Sequence, residues 1–397
     1  MKNGLRRIVL SCLLGIMSPI TANASDLISF WDVPRHGANS FNVSPPDKAY
    51  FTALSATGAK WVRLTFSKWK GQGRDFLIGN ADNYTGLVKT DLAILREVLK
   101  NAAASRLNVV IAPLSLPGTR WAQHNGGKYD DRIWSEPGFQ KQAALFWRDL
   151  AAALNDIPNI AAFNIINEPA PEKQSGPKEN ASMTILKTWQ STQENTLRDL
   201  PGFYDTVISA IRSVDATTPI MVDSGWYANP RSLAAWSGPL SDERVLYAFH
   251  MYEPYAATSG GNLKRETPLR YPGAKTTYGG KKVTWNAQKV ADHINTAFAW
   301  ADAHHLATTR IVMSEFGCMR RWEDCGRYLQ DVMDSTNQRR GHWAVYAFRE
   351  DEWEGMDYEL PASVPPGRFY WLTEQGRGDE LPRNGPLMDL LKGGMAN

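Results

Sequence analysis

Eight short apolar runs rich in strand-forming residues recur along this chain, separated by stretches with helical spacing. That alternation is the strongest constraint on its fold. The first run is the least defined, within residues 28–39 and centred on 35–39. The others cover 60–66, 107–113, 160–166, 219–223, 245–250, 310–314 and 342–348. Helical patterns occupy 90–105, 137–154, 203–214, 286–305 and 327–339. A strand followed by a helix and another strand is a βα unit, and such units build parallel sheets. Eight of them predict a single-domain α/β fold, the (β/α)8 TIM barrel. A doubly wound open sheet is the alternative, but no Gly-rich phosphate turn follows the first run. No repeat or low-complexity linker divides the chain. Its 43% hydrophobic and 21% charged content excludes disordered and fibrous classes.

The N-terminus has the pattern of a secretory signal peptide over residues 1–24. Lys2, Arg6 and Arg7 form a basic start, residues 8–20 are apolar, and Ala22-Asn23-Ala24 supplies a small-x-small cleavage site. An uncleaved anchor is the competing reading, although the apolar run is short for a membrane span. Residues 25–397 are then expected to work outside the cytoplasm, secreted or periplasmic, with no membrane association after cleavage. Cleavage removes three basic residues and no acid, leaving 41 basic against 41 acidic residues. A neutral surface provides no electrostatic case for a nucleic-acid or anionic-membrane partner. Nothing in the pattern calls for an oligomer, so a monomer is expected.

Cys318 and Cys325 are the cysteines left in the mature chain. An even count in an exported protein predicts a disulfide, with free thiols or half of a metal site as alternatives. The loop it closes is short, so its expected role is to pin the segment after residue 315. The chain also has 15 Trp, some of which are candidate flat surfaces for sugar rings.

A barrel presents functional side chains at the C-terminal ends of its strands. The fourth run ends Asn167-Glu168-Pro169, and the seventh ends Ser314-Glu315-Phe316-Gly317. A carboxylate closing a buried apolar run is costly unless something uses it. One such Glu is readily a salt-bridge partner; two, after strands four and seven, suit glycoside cleavage. That chemistry needs one carboxyl to protonate the leaving oxygen and another to attack the anomeric carbon or activate water. Two loops on the same side, 169–200 and 253–285, are long enough to be functional. No His-Glu-x-x-His, Walker or Gly-x-Ser-x-Gly motif supports metalloprotease, nucleotide or serine-hydrolase chemistry.

These segments resemble the two signatures of glycoside hydrolase family 5, the cellulase family of (β/α)8 enzymes. Arg63 in Trp61-Val62-Arg63-Leu64, His250-Met251-Tyr252 and Arg35-His36-Gly37-Ala38-Asn39 match further family segments in order. The resemblance implies a retaining β-glycosidase acting on a β-linked glucan or related polysaccharide, with no cofactor and no metal. Glu168 would be the acid/base and Glu315 the nucleophile, held ionised by Arg63. Asn167 would bind the sugar 2-hydroxyl, Tyr252 would donate to the nucleophile, and His250 would sit by the acid/base. Structural pairing for Arg63 and barrel-end packing for His250 and Tyr252 are the bland alternatives.

Two departures bear on the sugar. Where many members carry a His after strand three, this chain reads Ile111-Ala112-Pro113-Leu114-Ser115, with His124 only in the following loop. Where many carry a Trp after strand eight, Phe348 stands at or near the place, and Trp353 is a second candidate. Trp226, after the fifth run, is a candidate sugar platform. The acids between Glu350 and Glu359 read as a solvated loop. Mannanase, exo-acting β-glucosidase, transglycosylase and non-catalytic carbohydrate-binding readings keep the same framework.

Overall fold

The computed structural model describes residues 27–350, 354–365, 372 and 375–396; residues 1–24, expected as a signal peptide, and Trp353 lie outside the described residues. The strands are β1 (His36–Ser40), β2 (Trp61–Leu64), β3 (Asn108–Ile111), β4 (Ile160–Asn164), β5 (Ile220–Asp223), β6 (Val245–Met251), β7 (Lys275–Tyr278), β8 (Lys281–Thr284), β9 (Ile311–Phe316) and β10 (His342–Val345). Eight of them, β1 to β6 with β9 and β10, close into one barrel, every neighbouring pair parallel. This is the expected (β/α)8 barrel. Helices Lys89–Ala104, Pro137–Leu154, Leu200–Arg212, Ala287–Ala303 and Cys325–Gln338 fall on the five helical patterns. Their starts follow local chemistry: the Asp199 side chain accepts from Gly202 N, and Asn286 accepts from Lys289 N. Among the described residues, no helix is long and apolar enough to cross a membrane.

The inward faces of the strands hold two layers, set by the period of two. Trp61, Ala162, Met221, Ala248, Val312 and Ala344 belong to an apolar cluster inside the barrel. The residues two positions later on four of those strands, Arg63, Asn164, Asp223 and His250, are polar and buried. The outward residues between them, such as Val62, Phe163, Val222 and Phe249, join the larger core under the helices. The lower layer is plugged by the 3-10 helix Leu27–Asp32, whose Trp31 indole N–H donates to Ala161 O at 3.0 Å. Trp31 meets Trp61 and His342 edge-on. Burial holds the His342 imidazole at a pKa of about 4, so it is neutral. Its Nδ1 accepts from Arg35 N, which leaves the ring proton on Nε2, facing the Trp31 and Thr309 carbonyls.

Both long loops contain structure that the sequence pattern left as loop. Residues 169–200 carry the helix Met183–Thr192, capped by Ser182. Residues 253–285 carry the β7–β8 hairpin, turned by Gly279 and Gly280 at φ +58° and +77°. Two left-handed residues in sequence make the two-residue turn that suits a twisted hairpin, and Gly supplies them without a Cβ clash.

Candidate active site

The upper polar layer is organised by Arg63, which is fully buried. Its Nε donates to Asn164 Oδ1 at 2.8 Å. Nη1 donates to Glu315 Oε1 at 2.5 Å and Asn39 Oδ1 at 3.3 Å. Nη2 donates to Asn167 Oδ1 at 2.8 Å and Asp223 Oδ2 at 3.3 Å. All five guanidinium donors are used, from one planar group whose charge is countered by two carboxylates. A Lys could not make this fan of contacts, which makes Arg63 more than a simple ion-pair partner.

Glu315 lies near the end of β9, opposite His250 of β6, where the register between the two strands shifts. Its second oxygen, Oε2, accepts from the Tyr252 hydroxyl at 2.8 Å and lies 3.7 Å from His250 Nδ1. Glu168 follows β4 with its backbone in the left-handed region at φ +49°. Its N–H donates to Asp223 Oδ2 at 3.1 Å, which helps hold a conformation that a Glu adopts at a cost of about 1–3 kcal/mol. The Glu168 Oε1 lies 2.9 Å from His250 Nδ1. Carboxyl oxygens of Glu168 and Glu315 and a ring nitrogen of His250 all fall within 4.8 Å of one another. A cation could share such a set geometrically, but each Glu315 oxygen already has a donor, Arg63 or Tyr252.

The two carboxyls differ electrostatically. Burial raises Glu168 to a pKa of about 8; the Asp223 charge adds to the rise, and Arg63 only partly offsets it. Burial also pushes Glu315 upward, but His250, Arg63 and the Tyr252 hydroxyl all oppose it. Burial lowers the pKa of His250, so its ring is neutral. Its Nε2 points toward Asp223 Oδ2 at 3.6 Å, an acceptor-only group. That places the ring proton on Nε2 and leaves Nδ1 to accept from a protonated Glu168.

The structure thus brings Arg63, Asn167, Glu168, His250, Tyr252 and Glu315 together. Because Arg63 only donates, Asn167 must turn its Oδ1 toward it, leaving Nδ2 free to donate elsewhere. Asn39, Asn164 and Asp223, which the motif reading gave no role, complete the network. Their signal was in the pattern, since each is a polar residue inside a strand one step above the apolar layer. Phe348 is a correction. It is 1% exposed, its ring meets Tyr50 edge-on, and its N–H donates to Asn39 O. The strand ends at Val345, and by Phe348 the chain has turned into the core, so that ring cannot face a substrate. Tyr346, two positions after inward Ala344, is the aromatic residue near Tyr252. His124 is exposed in its loop. Glu350 and Asp357 are also corrections to the solvated-loop reading: both are fully buried, with Glu350 paired to Lys68 at 3.2 Å.

Trp226 is half-buried in the turn after β5 and lines a cavity with Glu179 and Glu253. Its N–H donates to buried Glu172. Gly225 precedes it because a Cβ there would collide with the Glu172 carboxylate. Cys318 and Cys325 form a disulfide, as expected, joining the segment after Glu315 to the start of the helix Cys325–Gln338.

Among curated proteins, the chain is similar to endoglucanase 3 of Fibrobacter succinogenes, with 25% identity over 218 residues, 48% of this chain and 30% of that protein. It is also similar to a β-xylosidase of Phanerodontia chrysosporium, with 22% identity over 277 residues, 66% of this chain and 49% of that protein. In both cases the match spans less than two thirds of the relative's length. Among solved structures, endoglucanase Cel5A of Thermotoga maritima shares the fold at a TM-score of 0.59 and 16% identity, over 84% of this chain and 94% of that one. The model of the cellulase family matches residues 28–352, most of the chain and every barrel strand described above. The chain belongs to the cellulase family, glycosyl hydrolase family 5.

Proposed function

We propose that this protein is a retaining β-glycoside hydrolase acting on a β-linked glucan or related polysaccharide. One observation carries the reading: carboxyl oxygens of Glu168 and Glu315 lie within 4.8 Å of one another. Retaining enzymes hold their carboxyls about 5–5.5 Å apart, whereas inverting enzymes need about 6.5–9.5 Å to admit a water. The division of labour follows from the surroundings. Glu168, held protonated at neutral pH, gives its proton to the glycosidic oxygen as that bond to the anomeric carbon breaks. Glu315, facing Arg63 and Tyr252, forms the new bond to the anomeric carbon. Glu168, now a carboxylate, takes a proton from water as the water oxygen attacks the same carbon and Glu315 leaves. Asn167 Nδ2 would donate to the 2-hydroxyl, a contact that strengthens in the transition state.

Several observations support this reading and its setting. Family membership and the endoglucanase relative favour a β-linked glucan, while the β-xylosidase relative keeps a pentose-based substrate in view. The signal-like N-terminus and the Cys318–Cys325 bond favour work outside the cytoplasm, where disulfides persist. The test is the stereochemistry of the first product. Proton NMR during turnover should show the β-anomer forming before mutarotation. An initial α-anomer would make the enzyme inverting and overturn the nucleophile role of Glu315. A binding-only protein would hold sugars and release no reducing ends.

A further inference from the structure

Residues 25–397 carry 41 basic and 41 acidic residues, yet these charges are not evenly spread. Between Glu253 and Lys289 stand seven basic residues against two acids, Glu253 and Glu266. Three of the seven lie on the β7–β8 hairpin, outside the barrel framework. Strand pairing sets Lys275 opposite Thr284 and Lys282 opposite Thr277. Side chains alternate along a strand, so these four share one face, and Lys275 and Lys282 are diagonal neighbours on it. All four are exposed, and so is Lys281 at the turn. The opposite face packs inward. The Trp285 indole N–H donates to Thr276 Oγ1 at 2.7 Å, and the Tyr278 ring meets Trp285 edge-on.

What lies beneath the hairpin adds positive charge instead of cancelling it. Lys289 Nζ sits 4.4 Å from the centre of the Tyr278 ring, and the Arg231 guanidinium 5.2 Å from it. Arg231 donates to the carbonyls of Glu179 and Ala181, not to a carboxylate. Among the described residues, none of Lys275, Lys281, Lys282, Lys289 and Arg231 has a carboxylate within ion-pair distance. Arginines elsewhere on the surface are matched: Arg96 with Asp156, Arg212 with Asp242 and Arg339 with Asp302, each at 2.6 Å. Like charges on neighbouring positions of one face work against the hairpin, and an anion from outside would relieve that repulsion. The hairpin also adjoins the catalytic site. Thr277 and Tyr278 line a cavity with Glu179, whose charge acts on the Glu168 carboxyl.

We propose that the outer face of the β7–β8 hairpin is an electrostatic docking surface for a polysaccharide bearing carboxylate groups, so that the substrate of this enzyme is an acidic β-linked polymer. The lysine ammoniums supply the charge, and Thr277 and Thr284 beside them offer hydroxyls to the sugars. A neutral glucan gains nothing from unneutralised cations. An acidic one gains affinity and a faster encounter, both screened by salt. A polysaccharide is favoured over a membrane or a nucleic acid because the face adjoins the catalytic site. That face also carries no apolar side chain to enter a bilayer and no aromatic ring to stack a base. The proposal rests on the glycoside hydrolase reading, but docking itself needs no turnover.

The test uses the full chain and two paired variants, Lys275→Glu/Lys282→Glu and Lys275→Arg/Lys282→Arg. Both positions are exposed, and the arginine pair keeps the charge. Binding is read first, by retardation in native gels containing carboxymethylcellulose or its neutral counterpart, hydroxyethylcellulose. At low salt the wild type should bind the carboxylated polymer at least about threefold more tightly, and the difference should vanish as ionic strength approaches about 0.3 M. The arginine pair should keep this preference and the glutamate pair should lose it. Equal binding of the two polymers by the wild type, or a preference that survives in the glutamate pair, overturns the proposal. The same contrast is then read in kcat/KM. The glutamate pair should lose the salt-sensitive advantage on carboxymethylcellulose and keep the wild-type rate on hydroxyethylcellulose; equal falls on both would make the lysines structural and overturn the proposal. Salt-reversible binding to anionic phospholipid vesicles, with no preference for the carboxylated polymer, would assign the face to a membrane and overturn it too. If neither polymer is cleaved, the β-glucan hydrolase reading fails, and the gels still decide the docking surface.

Discussion

The two layers inside the barrel are built from the same strands, and they treat buried polarity in opposite ways. In the lower layer, apolar residues pack around Trp31, and the polar atoms that enter are paired. His342 is neutral and hydrogen-bonded through both ring nitrogens. In the upper layer, a guanidinium and three carboxyls crowd around a second buried histidine, and capacity is left over. His250 Nε2 has no close partner, and Asn167 uses only its oxygen on Arg63. Complete pairing at the lower end is what stability asks for. Unspent donors and an unsettled proton at the upper end are what a reacting substrate can use. Burial acts on both histidines alike, but only at the upper end does it also leave a carboxyl protonated near neutral pH.

Substitutions at the two ends should separate these roles. The largest effect is expected for Glu315→Gln. Turnover should fall by on the order of 10⁴–10⁶-fold, as for other enzymes that lose a covalent nucleophile, with the melting temperature held or raised. Retained activity in steady-state kinetics would remove Glu315 from the reaction. Glu168→Ala should cost about 10²–10⁴-fold on substrates with poor leaving groups, less on activated aryl glycosides, and should respond to azide. In the unmodified enzyme, kcat/KM should decline as pH rises through about 8, because Glu168 must be protonated to act. A flat rate from pH 7 to 10 would contradict that assignment.

A smaller and more specific effect is expected for Asp223→Asn. Asp223 touches no reacting atom, but it accepts the Glu168 N–H, and its charge raises the Glu168 pKa. Removing that charge should move the alkaline limb to lower pH, with a loss in kcat of about tenfold, or about 1.4 kcal/mol. A loss in rate with an unmoved limb would reduce Asp223 to a structural part. The smallest effect on catalysis belongs to the lower layer. Trp31→Ala should cost about 3–5 kcal/mol of stability by thermal or denaturant unfolding, with kcat/KM nearly preserved well below the melting point. An equal loss of activity at low temperature would mean that the two layers are coupled.

Much of this architecture was legible along the chain. Seven of the eight apolar runs were well placed, and the eighth, at 35–39, overlapped β1 despite its weak pattern. The carboxylates stood out because Glu168 and Glu315 each close an apolar strand. The hairpin was missed because its strands, Lys275–Tyr278 and Lys281–Thr284, have little apolar content and are largely exposed. Its Gly279-Gly280 turn was the available signal. Phe348 was misplaced for a different reason: strand alternation applies only while the strand continues, and β10 ends three residues earlier.

By itself the sequence determined the local periods, and therefore the number, order and inward faces of the strands. It also put a carboxylate at the ends of strands four and seven, but it did not fix the face of Glu315, which lies three positions after inward Val312 and turns inward only through the register shift beside His250. Only the tertiary structure decided which of those side chains meet. Arg63 and Glu315 are 252 residues apart, and no local preference pairs them. Barrel closure and strand register bring them to 2.5 Å and place Glu168, itself partly buried, beside buried His250 and Asp223. The neighbours of Glu168 and Glu315 then separate the proton affinities of two side chains that burial alone would raise together, because the cost of a charge depends on what surrounds it.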